Sequence, residues 1–135
     1  MRTAIRALAL AAVALLLPAC DTRDPLGPTP VDQGIVIFMH AGFRGSSQQI
    51  AADVTDLDKV EGPCGQTEDE SSRTWNDCIS SVRVLPGWRA TLYGDRNFHG
   101  GTIAITEDVA DLGALTGSCS GSFNDCISSI RVSRR

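Results

Sequence analysis

The chain has 135 residues and a formal net charge of −4, from sixteen acidic against twelve basic residues. That length allows one ordinary domain and little more. The acidic balance argues against nucleic acid as a partner, because such binding rewards clustered Lys and Arg.

In chain order, the first element is a leader over residues 1–19. Arg2 and Arg6 give it a basic start, residues 7–17 are an unbroken apolar run, and "LPAC" closes it at Cys20. Eleven apolar residues are too few to span a bilayer, and the layout is that of a secretory signal peptide. The "LPAC" ending resembles the lipobox of bacterial lipoproteins. That resemblance implies lipidation of Cys20 and a membrane-anchored, exported protein; plain secretion with Cys20 free is the alternative. Removing Arg2 and Arg6 with the leader leaves ten basic against sixteen acidic residues, a net charge of −6 that suits cations. Residues 20–33 follow, "CDTRDPLGPTPVDQ", too rich in proline and charge to build a core. They read as a tether.

From residue 34 onward the pattern is that of strands. "GIVIF" is an apolar run ended by small and polar residues, and "GTIAITED" alternates with Ile103 and Ile105 on one face. "SVRV" and "SIRV" also alternate, which points Arg83 and Arg131 outward. Gly-rich turns, "HAGFRG" and "NFHGG", separate the strands. The segments "DVTDL" and "DVADL" predict a short helical turn, with the first Asp of each (Asp53, Asp108) as its cap. No segment past the leader sustains a helical period, so the domain at 34–135 is expected to be all-β with about four strands in each half.

The two halves repeat one another. At an offset of 55, Phe38 meets Tyr93, Phe43 meets Phe98, Gly45 meets Gly100, "DVTDL" meets "DVADL", and Cys64 meets Cys119. The offset then falls to 48, where "WNDCISSVRV" meets "FNDCISSIRV". Two copies of one unit follow, at 34–87 and 88–135.

Five cysteines are odd, but if Cys20 carries lipid four remain to pair: Cys64, Cys78, Cys119 and Cys126. An even set in an oxidising compartment reads as two disulfides. Four cysteines allow three connectivities, and a cross-repeat pairing of Cys64 with Cys126 and Cys78 with Cys119 is as symmetric as a local one. The local one, Cys64 with Cys78 and Cys119 with Cys126, is favoured over cross-repeat pairing. It explains why the seven residues by which the halves differ all fall between the paired cysteines.

Each copy therefore carries two motifs in order. The first is an aromatic, four residues, an aromatic, one residue and glycine ("FMHAGFRG", "YGDRNFHG"). The second is "NDCISS". This pair resembles the βγ-crystallin superfamily, with its aromatic corner and its Asn/Asp-Asn/Asp-x-x-Ser/Thr-Ser calcium signature. The resemblance covers residues 34–132. It implies a single domain of two Greek-key motifs, about eight strands in two packed sheets, and up to two calcium ions. Calcium, a hard cation, takes six to eight oxygens from carboxylates, amides, backbone carbonyls and water. Carried over, Asn76, Asp77 and Ser80 would join the corner loop Gly94 and Asp95. Asn124, Asp125 and Ser128 would join the loop Met39 and His40. Because an imidazole at His40 replaces the carboxylate of Asp95, the site using Met39 and His40 is expected to be weaker. The cysteine inside the signature is unusual for calcium-binding members. The same Asn-Asp and Ser-Ser residues also satisfy turn backbone groups by themselves.

Remaining features carry less. The acids Asp53, Asp56, Asp58 and Glu61 lack EF-hand spacing and read as a solvated turn, as does "EDE" at 68–70. Two histidines at non-equivalent positions and oxidised cysteines leave no catalytic constellation, so an enzyme is not expected. An alternative to calcium binding comes from secreted metallopeptidase inhibitors that resemble the same architecture, with the loop between Cys64 and Cys78 as inhibitory segment. A metal-free adhesive or structural domain is the third reading.

Overall fold

The computed structural model describes residues 32–65, 73–117 and 119–135. The leader, Cys20, most of the tether and the acidic run at 68–70 lie outside the described residues.

Alternation of apolar side chains builds the central strands. In β1 (Ile35–His40), Ile35 and Ile37 are fully buried while Val36 and Phe38 are half-buried. It pairs antiparallel with β2 (Arg44–Ile50) on one side and β4 (Ser81–Val84) on the other. The second half repeats this arrangement. There β5 (Trp88–Asp95), with Trp88, Ala90 and Leu92 inward, lies between β6 (His99–Ile105) and β9 (Ser129–Arg134). The short strand β3 (Glu61–Cys64) bridges to Thr74, and β7 (Thr116–Gly117) pairs with β8 (Gly121–Ser122). Nine short strands thus stand among the described residues.

The halves are interlocked by exchange. Val54 of the first repeat forms a two-way backbone bridge with Ile130 on β9, and Val109 of the second does the same with Val82 on β4. Each sheet thereby gains its outermost position from the other repeat. Between the sheets, Ile35, Ile37, Leu57, Ile79, Leu92, Leu112, Ile127 and Ile130 are fully buried in one cluster. Each such side chain contributes about 1.5–3 kcal/mol by leaving water.

The disulfides are the local pair, Cys64–Cys78 and Cys119–Cys126, with Cα separations of 5.8 and 5.9 Å. The predicted helical turns are single 3-10 turns at Leu57–Lys59 and Leu112–Ala114. Their caps differ from expectation. The second Asp of each segment, Asp56 or Asp111, accepts the capping hydrogen bond. The first Asp instead reaches across the exchange: Asp53 accepts from Val132 N–H, and Asp108 from Val84 N–H. A carboxylate oxygen there satisfies a strand amide that has no further strand to bond.

Each aromatic corner is a folded hairpin. Phe38 and Phe43 meet edge to face at 5.7 Å between ring centroids, and Tyr93 and Phe98 meet at 5.5 Å. Phe43 and Phe98 themselves have positive φ, 59° and 64°, an uncommon conformation for a bulky residue. The outward-pointing arginines are put to use here: Arg83 lies 4.6 Å over the Phe43 ring and Arg131 lies 4.2 Å over Phe98.

Candidate functional site: two crossed signature turns

Each Asn-Asp-Cys-Ile-Ser-Ser turn begins at a buried aromatic, Trp75 or Phe123, and ends in a strand. Its Cys and Ile face the core, so the disulfide and the isoleucine pin the middle of the turn. The Asp takes the left-handed conformation, φ 52° at Asp77 and 50° at Asp125. Asp and Asn tolerate that region better than most residues, which explains part of the motif without any ligand. The backbone reversal leaves both aspartates exposed.

The two turns cross and bond to one another reciprocally. Asp77 N–H donates to Ile127 O at 3.1 Å, and Asp125 N–H donates to Ile79 O at 3.2 Å. Ser80 Oγ donates to Asp125 Oδ1 at 3.3 Å, and the Ser128 side chain hydrogen-bonds the Asp77 carboxyl. The serines are therefore exchanged relative to the sequence expectation, which grouped Ser80 with Asp77 and Ser128 with Asp125. The physical reason is the crossing: each turn runs away from its own Asp and delivers its serine to the other.

Corner loops complete the two ends. Ser128 N–H donates to Tyr93 O at 2.9 Å, placing the Asp77 end beside the corner of Gly94 and Asp95. Ser80 N–H donates to Phe38 O at 3.0 Å, placing the Asp125 end beside the corner of Met39 and His40. Met39 also lines a cleft with Asn76, Asp77, Asp58 and Cys64. A Cβ at Gly94 would lie 3.6 Å from Cys119 Sγ, the corresponding place in the second repeat. The side chains of His40 and Asp95 do something else. They fold over the glycines of their own corners, His40 against Gly45 and Asp95 against Gly100. The inequality expected from His40 versus Asp95 thus concerns two side chains engaged with their corner hairpins.

The last serine of the signature has a role that sequence reasoning missed. Ser81 is fully buried, donates to His40 O at 2.7 Å and accepts from Phe43 N–H at 3.0 Å. Ser129 repeats this with Asp95 O at 2.6 Å and Phe98 N–H at 3.0 Å. The offset register held the signal, since each Ser-Ser recurs in step with its corner.

Partial desolvation pushes the Asp77 carboxyl above its ordinary range, while hydrogen bonds from Asn76 and Ser128 pull it back. Asp58 raises it further and Arg96 lowers it. Asn76 Nδ2 donates to Asp77 Oδ2 at 2.8 Å, while Asn76 Oδ1 is buried with no hydrogen-bond partner among the described residues. Leaving an amide oxygen so placed costs about 1–3 kcal/mol. Asn124 makes the same bond to Asp125 Oδ2 at 2.6 Å. Among the described residues no three His, Cys, Asp or Glu side chains gather as a metal-binding group. The donors that the hydrogen bonds bring together are one carboxylate and one hydroxyl at each end, Asp77 with Ser128 and Asp125 with Ser80, with the Asn76 amide beside Asp77. Those are hard oxygen donors, and the unpartnered Asn76 oxygen fits a cation.

A model of peptidase inhibitor family I36 matches residues 37–106, a span holding the first signature turn and both corners but ending before the second turn. Spherulin-3A of Physarum polycephalum is 29% identical over 85 residues, 62% of this chain and 71% of that protein. Among solved structures, one from work on the evolution of the eye-lens βγ-crystallin domain fold is 29% identical with a TM-score of 0.61, covering 78% of this chain and 90% of that one. A βγ-crystallin domain from Flavobacterium johnsoniae is 29% identical with a TM-score of 0.56, covering 75% and 94%. The N-terminal domain of Protein S is 27% identical with a TM-score of 0.54, covering 75% and 96%.

Proposed function

The chain belongs to peptidase inhibitor family I36, built on a βγ-crystallin-type domain, and from that premise we propose that it is an exported calcium-binding structural module. The observation that carries this reading is the Asn76 oxygen, without a partner among the described residues, next to the Asp77 carboxylate that the Ser128 side chain hydrogen-bonds. Asp77 and Ser128 would hold one ion with oxygens of the Tyr93–Asp95 corner. Asp125 and Ser80 would hold the other with oxygens of the Phe38–His40 corner. A bound calcium supplies charge neutralisation for a carboxylate that the fold partly strips of water. Since each Asp and its serine belong to different repeats, gripping an ion there also holds the repeats together.

The test is thermal melting of the full chain with calcium and with chelator. Saturation at 100 times Kd adds about 2.7 kcal/mol of stability, so the midpoint rises. An unchanged midpoint, with no heat on titration, would sink the reading.

Peptidase inhibition is the second reading, and the family match is what favours it. The Cys64–Cys78 bridge closes a loop, as an inhibitor needs to survive its target. Stoichiometric inhibition of a thermolysin-type metallopeptidase, without any response to calcium, would replace the first reading by the second. A chain inert in both assays would fit the metal-free adhesive role.

Export and anchoring rest on the leader and on two disulfides, which suit an oxidising compartment. Labelled fatty acid incorporated in the expressing cell, and lost in Cys20→Ser, is the expected result.

A further inference from the structure

Both corner loops dock on the opposite repeat through the same backbone bond, to the residue just before the cap of its 3-10 turn. Gly42 N–H donates to Ala110 O at 2.6 Å, and Asn97 N–H donates to Thr55 O at 2.8 Å. The side chains around these equivalent bonds are not equivalent. On the Asp77 side, Arg96 places Nε 3.3 Å from Asp56 Oδ1 and Nη2 2.9 Å from Asp58 Oδ2. Asp58 also accepts from Thr74 Oγ1, and Thr74 Oγ1 in turn accepts from Asn76 N–H. The guanidinium is thus joined through two residues to the turn that carries Asn76 and Asp77. Asp58 lines the same cleft as both of them.

On the Asp125 side, the repeat register puts Ala41 where Arg96 stands, Asp111 where Asp56 stands, Gly113 where Asp58 stands and Ala114 where Lys59 stands. The shell around Asp77 therefore contains two carboxylates, Arg96 and Lys59, which cancel in formal charge. The shell around Asp125 contains one carboxylate, Asp111, with no ion pair among the described residues, and Arg44 at that corner is turned to its own loop, donating from Nε to Ala41 O at 3.1 Å. Asp56 is largely covered, with a side chain only 12% exposed, so its pair with Arg96 is less screened than an ordinary surface ion pair.

We infer that Arg96 is a built-in counter-cation that makes the Asp77–Ser128 end the weaker of two divalent-cation sites, so that the Asp125–Ser80 end fills first. This rests on the calcium reading above and reverses the order expected from His40. One positive charge in this neighbourhood opposes a divalent ion at an effective dielectric between protein and water, which amounts to about tenfold in affinity.

The experiment is calorimetric titration of the full chain with calcium chloride, for wild type, R96Q, R96K, D77N and D125N. Two unequal steps are expected in wild type. D125N should remove the tighter step and D77N the weaker one. R96Q should tighten the weaker step about tenfold, while R96K, which keeps the charge, leaves it weak. In chelator R96Q should melt lower than wild type, with calcium closing the gap; an equal deficit in both conditions marks a merely structural arginine and overturns the inference. Loss of the tighter step in D77N, or a weaker step unchanged in R96Q, also overturns it while leaving calcium binding intact. Absence of binding in every variant overturns both.

Discussion

Val54 and Ile130, in different repeats, exchange two backbone hydrogen bonds of 2.8 and 2.9 Å. Val109 and Val82 exchange the equivalent pair, at 2.8 and 2.9 Å. Neither sheet is complete within one repeat. A fragment of residues 34–87 is therefore expected to remain unfolded alone and to gain structure when mixed with 88–135. Far-ultraviolet circular dichroism checks this, and a cooperative melt of the single repeat would contradict it.

The second serine of each signature is a structural bolt. Removing the hydroxyl of Ser81, itself fully buried, takes a partner from the His40 carbonyl and the Phe43 amide together, in two part-buried bonds. Ser81→Ala and Ser129→Ala should each cost about 1–3 kcal/mol, read from urea denaturation. Ser80→Ala, one residue earlier, should cost less in stability and act mainly on the calcium response. Equal stability losses at both positions would refute this division of labour.

Disulfide removal should rank by loop length. Closing the loop from Cys64 to Cys78, a separation of 14, is worth about 3 kcal/mol in the chain-entropy account, and the loop from Cys119 to Cys126, a separation of 7, somewhat less. The Cys64→Ser/Cys78→Ser double variant should accordingly melt lower than Cys119→Ser/Cys126→Ser. The reverse order in calorimetric melting would count against loop entropy as the cause.

The Asp77 carboxyl makes a pH prediction for the chelated protein. Its folded-state pKa is raised, chiefly by desolvation. The associated stability is complete below the ordinary aspartate range, about pH 3.9, and is lost as pH rises through the raised value. D77N lacks this loss. Metal-free D77N should therefore gain relative to wild type as pH climbs from 4 to about 7, while failing to respond to calcium at the Asp77 end. A constant difference between the two proteins across that range would disprove it.

Much of this protein is legible from its residues in order. The repeat, the β-strand alternation around Ile35, Ile37, Ile103 and Ile105, and the aromatic corners all follow from short-range patterns. The pairing of Cys64 with Cys78 and of Cys119 with Cys126 is the one that the register favours, because the insertion between the first pair breaks the register in one place only, and the structure chooses it over the cross-repeat pairing. The family resemblance sets each signature turn against the other copy's corner, but which side chains bond between the copies lies beyond that reach. That Ser80 serves Asp125, that Asp53 serves Val132, and that Arg96 joins Asp56 and Asp58 depends on how the second repeat lies across the first. Two copies of one sequence specify each copy's local fold twice over. They leave open which residue of one meets which residue of the other, since that is settled by packing the exchanged segments into a shared core.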